Sequence, residues 1–154
     1  ALAARIGDRL MSQRWMLTTA ESCTGGWIAK TVTDVAGSSA WFDRGFVTYS
    51  NAAKQEMLGV SLETLTRHGA VSEPVVKEMA TGALAQSRAQ TAIAISGIAG
   101  PGGGSAEKPV GTVWCAWGLP GQTILTRCMQ LAGDRESVRQ QAVWIALAGL
   151  LEHL

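Results

Sequence analysis

Apolar residues recur at Leu2, Ile6 and Leu10, and this spacing predicts a helix that ends near Trp15. The pattern then changes to a compact run, Met16-Leu17-Thr18-Thr19-Ala20, which predicts a short buried strand. After Glu21-Ser22-Cys23-Thr24-Gly25-Gly26, helical spacing returns at Trp27, Ile28, Val32 and Val35 until Gly37 stops it. A loop of small residues therefore separates a strand end from a helix start. Gly45-Phe46-Val47-Thr48-Tyr49 is rich in β-formers, and Ser50 or Asn51 can cap a helix running through Lys54 and Leu58 to Gly59. Ser61 opens another capped turn that closes at Gly69, and Ser72-Glu73-Pro74 starts a helix over roughly 73–88.

Thr91 to Ser96 predicts an apolar strand, followed by the most glycine-rich stretch of the chain, Gly97-Ile98-Ala99-Gly100-Pro101-Gly102-Gly103-Gly104. Val110 to Trp117 and Gln122 to Leu131 predict two further strands. The short link Gly118-Leu119-Pro120-Gly121 makes them an antiparallel hairpin, so the sheet must be mixed. Asp134 can cap a last helix that carries Val138, Ala142, Ile145, Leu147 and Leu150. Alternating helices and strands predict an α/β fold, a three-layer α/β/α sandwich with a mixed, mainly parallel sheet, in one domain over residues 1–154. In such folds ligands bind at strand ends.

Composition narrows the function. A hydrophobic fraction of 47% with 16% charged residues describes a compact globule. A net charge of +1 without a basic run argues against nucleic acid as a ligand. No apolar stretch is long enough to span a membrane, and no leader pattern is visible. Cys23, Cys115 and Cys128 are odd in number and far apart, which fits reduced thiols in a cytoplasm better than a disulfide framework. His68 and His153 read as surface residues, without the pairing a histidine-based metal centre needs, so no metal and no cofactor are expected. The only ground for a homodimer is that symmetric dimers are the commonest assemblies.

Three segments can carry chemistry. The loop from Gly97 to Gly104 presents backbone N–H groups that can hold a phosphate or a carboxylate, or it is a connection needing positive φ angles. It lacks the Lys-Ser or Lys-Thr of an ATPase loop and the G-x-G-x-x-G spacing of a dinucleotide site. Ser22 and Cys23 are two potential nucleophiles at a helix start, unless Ser22 or Thr24 only caps the helix and Cys23 only packs. Tyr49 and Lys54 would diverge on one continuous helix, but a break at Ser50-Asn51 can bring them together; otherwise Tyr49 packs and Lys54 is solvated.

Taken together, Ala20-Glu21-Ser22-Cys23-Thr24-Gly25-Gly26, Gly45-Phe46-Val47-Thr48-Tyr49-Ser50-Asn51 with Lys54, Gly69-Ala70-Val71-Ser72, Ile95-Ser96-Gly97-Ile98-Ala99-Gly100-Pro101 and Lys108-Pro109-Val110-Gly111-Thr112-Val113 resemble the CinA C-terminal domain family. This competence-damage-inducible group includes stand-alone nicotinamide mononucleotide deamidases, and the chain looks like their short, single-domain form. The resemblance implies a three-layer sandwich and cofactor-free hydrolysis of nicotinamide mononucleotide to nicotinic acid mononucleotide and ammonia, in pyridine-nucleotide recycling. It implies Ser22 as nucleophile, Lys54 as base and Tyr49 as a hydroxyl that relays or orients the proton. Substrate contacts are expected from Glu21, Cys23, Thr24, Gly25, Asn51, Ser72, Ser96, Gly97, Gly100, Gly102, Gly103 and Thr112. Rival readings are an amidase for another small amide, and a non-catalytic binding module tied to competence or DNA repair.

Overall fold

A computed structural model describes all residues, 1–154. Five strands form one sheet in the order β2-β1-β3-β4-β5: β1 Leu17–Glu21, β2 Phe42–Val47, β3 Thr91–Gly97, β4 Thr112–Gly118 and β5 Leu125–Gln130. β1 pairs in parallel with β2 and β3, while β3–β4 and β4–β5 are antiparallel. Four strands therefore run one way and β4 alone runs against them, as the predicted hairpin required. Six helices complete the fold: α1 Leu2–Gln13, α2 Trp27–Thr33, α3 Asn51–Leu58, α4 Leu62–His68, α5 Glu73–Ala85 and α6 Arg135–His153.

The alternation of side chains along the strands builds the two outer layers. Leu17, Ile93, Ile95, Cys115 and Trp117 face α1, α2 and α6, where 22 buried residues form the larger core. The opposite face carries Ala20, Ala92, Ala94 and Ala116 against residues of α3, α4 and α5. Small side chains there let the second helical layer settle close to the sheet. Within that layer α3 and α5 also nearly touch: a Cβ on Gly82 would fall 1.9 Å from the Leu58 carbonyl oxygen, with only backbone to yield. Gly82→Ala is expected to cost about 1–3 kcal/mol by overpacking, despite the better helix propensity of Ala. Thermal unfolding of the variant, with a Tm several degrees lower, checks this.

The expected caps form at Ser50, Ser61 and Asp134, whose side chains accept from Ala53 N, Thr64 N and Ser137 N. Strand boundaries shift from the sequence reading: β4 begins at Thr112 rather than Val110, β5 is confined to Leu125–Gln130 within the expected 122–131, and the shifts in β2 and β1 bear on the site. β2 begins at Phe42, because Asp43 and Arg44 lie on an edge strand where charged side chains are tolerated, and it ends at Val47, two residues before Tyr49. β1 extends through Glu21 because the carboxylate, although buried, accepts from Thr24 Oγ1 at 2.6 Å, Ile28 N at 2.8 Å and Ala29 N at 2.9 Å. That carboxylate anchors the start of α2 and holds the small-residue loop beneath it.

Candidate active site

Ser22 follows β1 directly, so its backbone is fixed at the carboxyl end of a strand that has neighbours on both sides. Its N–H donates to Ile95 O of β3 at 3.1 Å, and Thr48 N donates to Glu21 O at 2.8 Å from the β2 side. Lys54 reaches the same point from the other helical layer. In α3 it shares the buried face with Leu58, and it is only 1% exposed. Its Nζ donates to Ser22 Oγ at 2.9 Å, Thr48 O at 2.9 Å and Tyr49 O at 3.2 Å. No carboxylate is among these partners. Burial holds the Lys54 ammonium below the usual lysine range, with a smaller opposing contribution from neighbouring Cys23.

Around this pair lies a cavity of about 240 Å³ lined by Ser22, Cys23, Tyr49, Lys54, Ala70, Val71, Ser96, Gly97, Ala99 and Arg135. Its only formal charges are cationic, Lys54 and Arg135. Arg135, the first residue of α6, donates to Gly100 O at 2.8 Å and to Tyr49 Oη at 3.2 Å, tying the glycine-rich loop to the tyrosine. The Cys23 thiol is pushed up to about 12, first of all by burial, and so remains protonated near neutrality. It packs against Gly97, where an added Cβ would lie 3.1 Å from Sγ and 2.7 Å from Val113 Cγ2. The N–H groups of Cys23 and Thr24, directly after Ser22, donate to no oxygen of the protein, whereas Gly25 N closes a turn onto Ser22 O at 3.1 Å.

The profile of the CinA C-terminal domain matches residues 1–154. The chain belongs to the CinA C-terminal domain family. It is 60% identical to the nicotinamide-nucleotide amidohydrolase PncC of Escherichia coli over 149 residues, 97% of this chain and 90% of that protein. The PncC protein of Pseudomonas putida is 54% identical over 151 residues, covering 98% and 94% of the two chains. The crystal structure of the competence/damage inducible protein CihA from Agrobacterium tumefaciens superposes with a TM-score of 0.95 at 51% identity, covering 98% of this chain and 92% of that one.

In this CinA C-terminal domain the cavity collects six of the residues singled out from the sequence: Ser22, Cys23, Tyr49, Lys54, Ser96 and Gly97. Ser96 is 1% exposed and its hydroxyl has no protein partner, so it is free for a ligand. Tyr49 contributes differently from the expectation. Its carbonyl binds Lys54 while its exposed hydroxyl is held by Arg135, without a hydrogen bond to Ser22 or Lys54. Glu21, Thr24, Ser72 and Thr112 are buried but do not line the cavity; Ser72 Oγ donates to Gly69 O and Thr112 Oγ1 to Pro109 O. Gly25, Asn51, Gly100, Gly102 and Gly103 also lie outside the lining, although Gly100 touches it through Arg135.

Sequence reasoning missed Arg135, Ala70, Val71 and Ala99 as site residues. The one local signal for Arg135 is its place in the first turn of α6, where the helix dipole disfavours a cation. An arginine kept there has its reason elsewhere, in the cavity it reaches across the fold.

Proposed function

We propose that this protein hydrolyses the carboxamide of nicotinamide mononucleotide to nicotinic acid mononucleotide and ammonia, with Ser22 as nucleophile and Lys54 as general base. The observation that carries this reading is the set of three partners around Lys54 Nζ. Two are carbonyls, which only accept, and the third is the Ser22 hydroxyl. A neutral amine has two N–H donors and one lone pair. With its donors committed to Thr48 O and Tyr49 O, its lone pair is aimed at Ser22 Oγ–H. The burial that lowers the lysine pKa raises the population of that neutral form.

The steps follow from this orientation. Lys54 takes the Ser22 proton as Oγ attacks the carboxamide carbon, and the free N–H groups of Cys23 and Thr24 supply donors for the developing oxyanion. The Lys54 ammonium then returns the proton to the departing nitrogen, releasing ammonia and leaving an ester on Ser22. Water, deprotonated by the same amine, attacks the ester carbon, and the C–Oγ bond breaks as the Lys54 ammonium returns that proton to Ser22 Oγ, freeing the acid. Tyr49 acts through its carbonyl and as a wall of the cavity, next to the apolar Ala70, Val71 and Ala99.

A volume of about 240 Å³ is below the roughly 300–1,000 Å³ of pockets that enclose drug-sized ligands, so the cavity suits the pyridine ring while the ribose phosphate extends to its mouth. There Arg135 has donors to spare for a phosphate, because its guanidinium carries five and spends two on Gly100 O and Tyr49 Oη. The names of the amidohydrolase relatives support the same substrate. No helix is long and apolar enough to cross a membrane, and three free cysteines accord with a cytoplasmic setting.

Incubation with nicotinamide mononucleotide, its riboside and free nicotinamide, each with EDTA, tests the proposal by chromatography of the products. Turnover of the mononucleotide, with nicotinamide far poorer and no effect of EDTA, is expected. Release of ammonia only from a different small amide would reassign the substrate. Arg135→Met is expected to lower kcat/KM for the mononucleotide roughly ten- to hundredfold, the worth of charge-assisted hydrogen bonds, and to leave the riboside almost unaffected. An equal fall for both substrates would remove Arg135 from phosphate recognition.

A further inference from the structure

Directly beneath the Ser22 loop lies a second arginine that the cavity does not contain. Arg139, one turn along α6 from Arg135, donates from Nε to Cys23 O at 2.9 Å and from Nη2 to Thr24 O at 3.3 Å. Its guanidinium carbon sits over the Trp27 ring, 5.6 Å from the centroid, and Nη2 lies 3.2 Å from where a Gly25 Cβ would be. One rigid, planar cation therefore holds two consecutive carbonyls, those of the two residues after the nucleophile.

A trans peptide unit points its N–H opposite to its C=O. Holding Cys23 O toward α6 consequently turns the Thr24 N–H away from α6, and holding Thr24 O does the same for Gly25 N–H, which closes onto Ser22 O. Cys23 and Thr24 keep adjacent, unspent N–H groups in a loop that is 6% and 0% exposed at these residues. Successive free amides of this kind make a concavity for negative charge. Buried amides usually find an acceptor, so two consecutive ones without any call for a ligand.

We propose that Arg139 is a positioning residue: it holds the Cys23–Thr24 peptide directly and, through the Gly25 N–H that closes onto Ser22 O, the Ser22–Cys23 peptide, so that the Cys23 and Thr24 amides form the oxyanion site. This rests on the reading of Ser22 as an acylated nucleophile. The guanidinium never meets substrate in this arrangement. It acts from an open depression of about 440 Å³ lined by Thr24, Gly25, Gly26, Trp27, Lys30 and Arg139, on the α2–α6 side of the loop.

The test reads the oxyanion site without depending on the natural substrate. A fluorophosphonate probe reacts when Ser22 Oγ attacks phosphorus, fluoride leaves and Lys54 accepts the serine proton, giving a tetrahedral adduct whose oxygen occupies the oxyanion site. Arg139→Ala, checked for an intact fold by its melting transition, is expected to label Ser22 at least about tenfold more slowly, against the 10²–10³-fold cost of deleting a donor outright. Ethylguanidinium, entering the emptied depression, is expected to restore much of the rate. Turnover of nicotinamide mononucleotide is expected to lose kcat by a similar factor with KM within about threefold.

Should Arg139→Ala not fold, Arg139→Lys serves. It keeps the charge but not the two-pronged geometry, and it is expected to label slowly as well. Labelling of a folded variant at the wild-type rate overturns the role of Arg139. A wild-type protein that is labelled at Ser22 but releases no nicotinic acid mononucleotide instead overturns the substrate, leaving the role of Arg139 standing. Absence of labelling in the wild type overturns both.

Discussion

Ser22→Ala is expected to fold normally and to lose turnover by at least about 10³-fold, since removal of a nucleophile disables a catalytic unit as a whole. Cys23→Ala is expected to keep turnover within a few-fold and to resist the effect of thiol alkylators. The two side chains are adjacent, and chemistry alone would favour the thiol, the more reactive nucleophile when ionised. Their surroundings reverse that order. Cys23 is buried, its titration is pushed up to about 12, and its sulfur packs against Gly97 rather than receiving a base. Ser22 Oγ instead lies 2.9 Å from the amine of Lys54. Truncation of Cys23 removes one buried atom, at a stability cost of about 2 kcal/mol or less. Steady-state kinetics of the two variants decides the matter: an active Ser22→Ala with a dead Cys23→Ala would transfer the mechanism to cysteine.

Lys54→Met is expected to be the second near-silent variant, with a fall of roughly 10²–10⁴-fold in kcat, the span a general base contributes. Its fold should persist because two terms oppose one another. Thr48 and Tyr49 carbonyls lose a donor, at about 1–3 kcal/mol if left unsatisfied, while the chain is relieved of a buried amine that has no carboxylate partner. In the wild type, burial depresses the lysine pKa, so the neutral form that the proposed base requires appears with rising pH before an ordinary lysine would lose its proton. The kcat/KM of the wild type is therefore expected to climb and level off below the unperturbed value of about 10.4. Linkage has the same sign: between the depressed folded pKa and the unfolded one the unfolded chain binds more protons, so stability associated with Lys54 rises with pH across that window. A flat pH profile together with an active Lys54→Met would return this residue to a structural role.

Much of the architecture was legible because it is local. The period changes from α1 to β1 and from β1 to α2 are written in consecutive residues, and the caps Ser50, Ser61 and Asp134 act within three positions of themselves. The short link after Gly118 forces antiparallel pairing of β4 and β5 whatever the rest of the chain does. The ends of β1 and β2 depart from residue type where burial or exposure overrides it. Glu21 ends a central strand because three donors converge on its carboxylate, and Asp43 and Arg44 begin β2 because it is an edge.

The site divides along the same line. The chain itself presents Ser22 at a strand end and Lys54 on the face of α3 that carries Leu58, since strand, cap and helix are each set by neighbouring residues. That the two meet, 32 positions apart, follows from the parallel pairing of β1 and β2 and the packing of α3, and no spacing rule encodes it. The burial that lowers the lysine pKa, the alignment of its two carbonyl partners and the pairing of Tyr49 Oη with Arg135 are likewise products of the assembled fold. So is the reach of Arg135 and Arg139 from α6, more than eighty positions after the residues they touch at Tyr49 and the Ser22 loop. Local sequence determines which backbone conformations and which reactive groups are available. Desolvation and hydrogen-bond direction depend on what the far parts of the chain place around those groups, and only the tertiary structure decides that.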